Sequence, residues 1–106
     1  MTLLYQAILF RYPDSGAAGW IDQVQRGGFN GLIASAQGIA DSYEFHGQVT
    51  SRYNATQIVI NAYRVLINRY PDPGANNWVG LISQSRSGQA FSGIVGSDAF
   101  RRLHNL

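Results

Sequence analysis

The residues in this sequence that could do chemistry are concentrated in one phrase that is written twice. Arg11-Tyr12-Pro13-Asp14-Ser15-Gly16-Ala17-Ala18-Gly19-Trp20 reads against Arg69-Tyr70-Pro71-Asp72-Pro73-Gly74-Ala75-Asn76-Asn77-Trp78 at an offset of 58 residues, with seven of the ten positions identical. Aspartate with glycine and backbone carbonyls suits a calcium ion. Calcium loops gather several carboxylates, however, and each phrase carries one. Helix capping accounts for Asp14 and Asp72 together with the adjoining prolines. The second copy is expected to be the clearer case, because Asp72-Pro73 sets an N-cap before a proline at the first helical position. Arg11 and Arg69 stand three residues earlier, near a helix C-terminus. A guanidinium there can bond the last carbonyls or bridge to the aspartate, so a structural clamp is expected, with a ligand-facing arginine as the alternative. Trp20 and Trp78 begin apolar stripes and read as core, with stacking on a sugar or base as the other use. Tyr12 and Tyr70 follow helix ends and are the candidate exposed contact residues.

Outside the phrases the chemistry is sparse. His46 and His104 have no partner at metal-ligand spacing. Ser42, Ser87 and Ser97 read as helix caps, since none sits in a Gly-x-Ser-x-Gly elbow. Asp41 and Glu44 have the spacing of a capping pair. The glycines are scattered and give no phosphate cradle. With no cysteine there is no disulfide and no thiolate ligand or nucleophile. The sequence therefore assigns no catalytic, cofactor-binding or metal residue, and the expectation is a protein that is not an enzyme and takes no cofactor.

The elements that must hold these phrases are helical. Asn54-Ala55-Thr56-Gln57 has the form of a capping box and opens a helix expected over 58–69. Val59, Ala62, Tyr63 and Leu66 recur along it at helical spacing. The equivalent run, Leu3 to Phe10, is apolar on nearly every face, as buried helices are. Met1 aligns with Val59, so this first helix lacks its cap and first turn. Pro13 and Pro71 are expected to stop these helices, because proline disfavours helical geometry in the preceding residue. A second helix carries each tryptophan and ends in a turn, at Gly27-Gly28 or between Ser83 and Ser87. A third follows, and a Ser-x-x-Phe segment (Ser42 to Phe45, Ser97 to Phe100) opens a short last one. The copies differ in length by three residues between tryptophan and serine. No strand alternation of useful length occurs. The expected fold is all-α: two tandem helical repeats of about 50–58 residues, 1–53 and 54–106, packed into one small domain.

Composition sets the outer bounds. An apolar fraction of 45% is enough for a real core and argues against a disordered chain. Charged residues make up only 13%, against about 25% in typical proteins, and all eight basic residues are arginine. Those arginines are dispersed, with only Arg101-Arg102 adjacent, so no nucleic-acid stripe is expected. No apolar run reaches the ~18 residues of a membrane span, and none resembles a signal peptide, so no membrane insertion is expected.

The order of the parts carries a resemblance. Tyr63-Arg64, then Arg69-Tyr70-Pro71-Asp72-Pro73-Gly74, Trp78 and Gly96-Ser97-x-x-Phe100 resemble the bacterial family called domain of unknown function 4214. They are also similar to the helical repeat of phycobilisome linker proteins. The similarity covers the chain twice. It departs in placing each tryptophan six residues after the aspartate, one fewer than is common in the family. It departs again in the Ser-Pro-Glu-Phe ending, which is Ser42-Tyr43-Glu44-Phe45 in one copy and the glutamate-free Ser97-Asp98-Ala99-Phe100 in the other. The resemblance implies a helical module of large secreted or surface-associated bacterial proteins, extracellular or at the cell surface, with no established catalysis. Its expected role is structural: self-assembly or protein–protein contact, as a homo-oligomer or against a larger host protein. Leu3, Leu4 and Ile8 are the expected contact face, joined by Tyr12 and Tyr70. A glycan-binding or cation-binding module using the same phrases is the alternative, and a phycobilisome-type linker a more distant one.

Overall fold

A computed structural model describes residues 1–106, which are helical with short connections and no strand. The capping box works as its spacing requires. The Gln57 N–H donates to Asn54 Oδ1 at 2.8 Å and the Asn54 N–H to Gln57 Oε1 at 2.9 Å. Two otherwise orphaned donors are satisfied, and α3 (Ala55–Leu66) starts cleanly. Its counterpart α1 (Thr2–Leu4) has no side-chain cap and runs on into a π-helical turn, Tyr5–Leu9. That turn borrows a partner from the other copy. The Asn61 amide of α3 donates to the carbonyls of Gln6 at 2.9 Å and Ala7 at 3.2 Å.

The prolines do not end these helices. Each helix has already ended by a left-handed residue three positions before the proline: Phe10 (φ 58°) and Asn68 (φ 59°). Asparagine tolerates that conformation, whereas a bulky phenylalanine is strained in it. Phe10 is held by stacking on Tyr53, with ring centroids 4.0 Å apart and planes 8° from parallel. α3 thus ends at Leu66, short of the Arg69 that the sequence pattern suggested. Pro13 and Pro71 lie in the extended stretch that follows.

Short 3-10 turns (Ser15–Ala17 and Pro73–Ala75) lead into the tryptophan helices, α2 (Ala18–Ala40) and α4 (Asn76–Ser83). α2 is two helices folded at Gly28, whose φ of 59° and ψ of −134° are open only to glycine. The second copy makes the same turn with Ser85 in the left-handed region (φ 61°) and then begins α5 (Ser87–Val95). Both turns fall where sequence placed them. Ser42 and Ser97 cap as expected. Their hydroxyls accept from the N–H groups of Phe45 and Phe100 at 3.2 and 3.3 Å and donate to Ile39 and Ile94 carbonyls at 2.6 Å each. A π-helical turn (Phe45–Val49) and α6 (Asp98–Leu103) follow.

Ser87 is not a cap. Its hydroxyl donates to the Ala40 carbonyl at 2.7 Å, and the Gly88 N–H at the start of α5 is taken by Asp41 Oδ1 at 3.0 Å. Asp41 therefore caps a helix of the other copy and does not pair with Glu44. Like elements of the two copies meet: the first helical segment lies on α3, and α2 makes the most extensive contact in the molecule with α5. Phe45 and Phe91 meet edge to face across this junction at 6.1 Å. One core of 24 buried apolar residues, from Leu4 to Phe100, is drawn from both copies. Leu4 (2% exposed) and Ile8 (fully buried) belong to it, because α3 covers the N-terminal helix. They are not contact residues; of the expected apolar face only Leu3 is exposed.

Candidate functional site

Each Arg-Tyr-Pro-Asp phrase crosses from the first helix of its copy to the second, and its first proline, its buried alanine (Ala17 or Ala75) and its tryptophan turn back onto the fold. Arg11 is the centre of the first. Its Nε and Nη2 donate to the two carboxylate oxygens of Glu44 at 2.6 and 2.7 Å, and Nη1 reaches the Tyr12 carbonyl at 3.0 Å and Asp14 Oδ2 at 3.2 Å. The guanidinium carbon also lies 5.0 Å from the centre of the buried Tyr5 ring. This is the clamp expected of Arg11, with a second partner that spacing did not reveal. The hydrogen bonds from Arg11 hold the Glu44 carboxyl below the usual glutamate range, and those to Glu44 raise Arg11 above its own. Burial pushes the Tyr5 phenol upward.

The second copy lacks this arrangement. Ala99 stands where Glu44 stands in the first, and Arg69 keeps only an exposed pairing with Asp72 at 3.7 Å. The capping aspartate is also the reverse of expectation. Asp14 Oδ1 accepts the Gly16 N–H at 2.9 Å, while Asp72 makes no side-chain cap bond. Pro73, with its fixed φ at the first helical position, sets the turn instead.

Both tryptophans are half-buried against the core. Trp78 Nε1–H donates to the Tyr63 hydroxyl at 3.0 Å, and Trp20 bears on Tyr5 in the first copy. Each ring lies over a glycine of the third helix. A Cβ on Gly38 would fall 2.7 Å from the Trp20 ring, and one on Gly93 2.5 Å from that of Trp78. The indole is thus a spacer between the first and third helices of its copy, which leaves little of it for a ligand. Pro13 and Pro71 are partly covered.

Tyr12 and Tyr70 are the most exposed large side chains of the phrases, at 70% each, with Arg69 also more than half exposed. They flank two shallow depressions that adjoin along α3, sharing Asn61 and Val65. One, about 370 Å³, has Phe10, Arg11, Tyr12 and Tyr53 around it. The other, about 520 Å³, has Arg64, Asn68, Arg69 and Tyr70. Sequence reading missed Arg64, Asn61 and Asn68; the only signal was that all three depart from the first copy, where Gln6, Leu3 and Phe10 stand. It also missed Tyr43, which is almost wholly exposed. No three His, Asp or Glu side chains stand together to hold a metal ion, and His104 bonds the Leu66 carbonyl at 2.8 Å. No helix is long and apolar enough to cross a membrane. The chain matches no known family model, no curated protein and no solved structure.

Proposed function

We propose that this chain is a non-enzymatic interaction module, acting in self-assembly or protein–protein contact within a bacterial surface-associated or extracellular protein. The observation that carries this is the equal exposure of Tyr12 and Tyr70, at the same place in both copies, while Arg11 is clamped by Glu44 and both tryptophans pack against the core. The same outward tyrosine stands in both copies, and neither hydroxyl is bonded within the fold. Exposed tyrosine supplies large, rigid contact area at low entropic cost, which suits a binding surface. The resemblance to domain of unknown function 4214 supports the setting. The contact lies on the tyrosine face, since the N-terminal helix is covered by α3.

The test is sedimentation equilibrium from micromolar to millimolar concentration, on the parent and on a Tyr12→Ser, Tyr70→Ser double variant. The reading expects association in the parent and its loss in a variant that remains helical. Association unchanged by the double substitution would place the contact elsewhere and overturn it. A second reading, binding of a neutral glycan, is favoured by one observation: the Phe10, Tyr12 and Tyr53 rings beside Asn61. It predicts quenching of tryptophan or tyrosine fluorescence by soluble oligosaccharide, lost in Tyr12→Ser.

A further inference from the structure

The two copies are internal controls for one another, and at one place they diverge in a single chemical direction. Around Tyr12 the first copy presents Leu3, Gln6, Phe10 and Arg11, with Arg11 already neutralised by the two oxygens of Glu44. At the equivalent positions around Tyr70 the second presents Asn61, Arg64, Asn68 and Arg69. An apolar residue has become an amide twice, a neutral residue has become an arginine, and the clamping glutamate has become Ala99. Each change adds a donor or removes an acid; the Asn61 amide is spent on the Gln6 and Ala7 carbonyls, which leaves Arg64, Asn68 and Arg69 as the donors facing solvent.

The outcome is a shallow depression of about 520 Å³ lined by Asn61, Arg64, Val65, Asn68, Arg69 and Tyr70, with no carboxylate among its lining residues. Arg64 forms no ion pair; its guanidinium carbon rests 5.6 Å from the centre of the Tyr70 ring, which holds it in place. Arg69 has only Asp72, at 3.7 Å and with both side chains more than half exposed. Such a pairing is worth little and is readily exchanged for a better one. Two guanidinium groups with unused planar donors suit a carboxylate taken in bidentate fashion.

The neighbouring surface narrows the source of that carboxylate. Tyr70 also lines a separate depression of about 420 Å³, where Val59, Ile60, Pro71, Pro73 and Val79 stand together with the polar Thr56, Asp72 and Asn76. Its apolar groups are aliphatic, with Tyr70 the one ring on which a sugar could stack, and they fit a branched apolar side chain. We propose that the Arg64–Arg69 pocket binds an acidic side chain of a partner polypeptide, with an apolar residue next to it seated beyond Tyr70. This rests on the interaction reading above and names the partner's chemistry.

The experiment is fluorescence anisotropy with a labelled synthetic peptide of alternating glutamate and leucine, run against the same peptide with glutamine for glutamate. The glutamate peptide should bind, the glutamine peptide at least about tenfold more weakly, and the affinity should fall as salt is raised. Arg64→Gln and Arg69→Gln should each weaken binding several-fold. Both residues are exposed and outside the core, so the variants should keep the parent's circular dichroism. Equal binding of both peptides, no binding of either, or binding of polygalacturonate in place of the peptide would each overturn the proposal. Tyrosine-dependent self-association that persists when peptide binding fails removes only this inference and leaves the interaction reading standing.

Discussion

Arg11 shows how one side chain can join a whole repeat. Spacing alone pointed to Asp14, three residues on, yet the stronger partner is Glu44, 33 residues away. That pair is bidentate, but both side chains are about one-third exposed (34% and 35%), so solvent screens much of its worth. Glu44→Gln should cost about 1 kcal/mol in urea unfolding at neutral pH. Because the folded-state pKa of Glu44 is lowered, its contribution is present above the ordinary glutamate value of about 4.3 and is lost as pH falls through the lowered value. The gap between parent and variant should therefore close on acidification below about pH 4. A gap constant with pH would mean that the pair does not stabilise the fold. The aspartates offer a second residue-scale contrast. Asp14→Ala removes a cap bond and should cost about 1 kcal/mol, whereas Asp72→Ala should be nearly neutral. Reversed values from thermal melts would contradict the assignment. The aspartate asymmetry follows Ser15 against Pro73 within the phrases, but the loss of the Arg11 partner was not legible there. It was legible in the distant ending, where one copy keeps a glutamate and the other has alanine.

Among the elements, local signals read well and boundaries set by conformation did not. The Asn54–Gln57 box and the Ser42 and Ser97 caps each carry their partners within three residues, and the Gly28 turn is marked by its glycine, so the sequence reveals them. The left-handed end at Phe10 is invisible to propensity, since phenylalanine there is strained and is held by Tyr53 from a later segment. The Asp41 cap of α5 joins residues 47 apart and is equally hidden. The tryptophan helices were placed correctly for a reason that can be tested. Gly38 and Gly93 occur where the indole rings cross the third helices, so helix propensity is given up to let the ring approach. Alanine at an ordinary exposed helical glycine stabilises by up to about 1 kcal/mol. Here Gly38→Ala and Gly93→Ala should each destabilise by about 1–3 kcal/mol through overpacking. Near-UV circular dichroism should change with them, and a gain in stability would show that the ring is not a spacer.

For the molecule as a whole, the question is whether a copy is a folding unit or half of one. The all-α class and the two-copy organisation were legible from period and patterning. What sequence could not show is that like helices meet, so that each copy covers the apolar face of the other. That arrangement explains why an N-terminal helix apolar on nearly every side needs no neighbouring molecule: α3 and the core take Leu4 and Ile8. It also means that each copy, taken alone, exposes both the first and the third helix. A unit of about 53 residues is marginal even with its own core, and this one shares its core with a second copy. Residues 54–106 alone should therefore lack cooperative unfolding and show little helix at micromolar concentration, although they contain the better-capped half. Because the faces in contact are like faces, helix should grow as the concentration is raised, by pairing between fragments. Equimolar addition of residues 1–53 should restore more helix than the same amount of further 54–106, since only that pairing supplies the Asp41 cap of α5 and the Asn61 bonds to Gln6 and Ala7. Circular dichroism against concentration decides it. A monomeric 54–106 fragment that melts cooperatively would show that each copy is a domain in its own right, joined to its twin rather than completed by it.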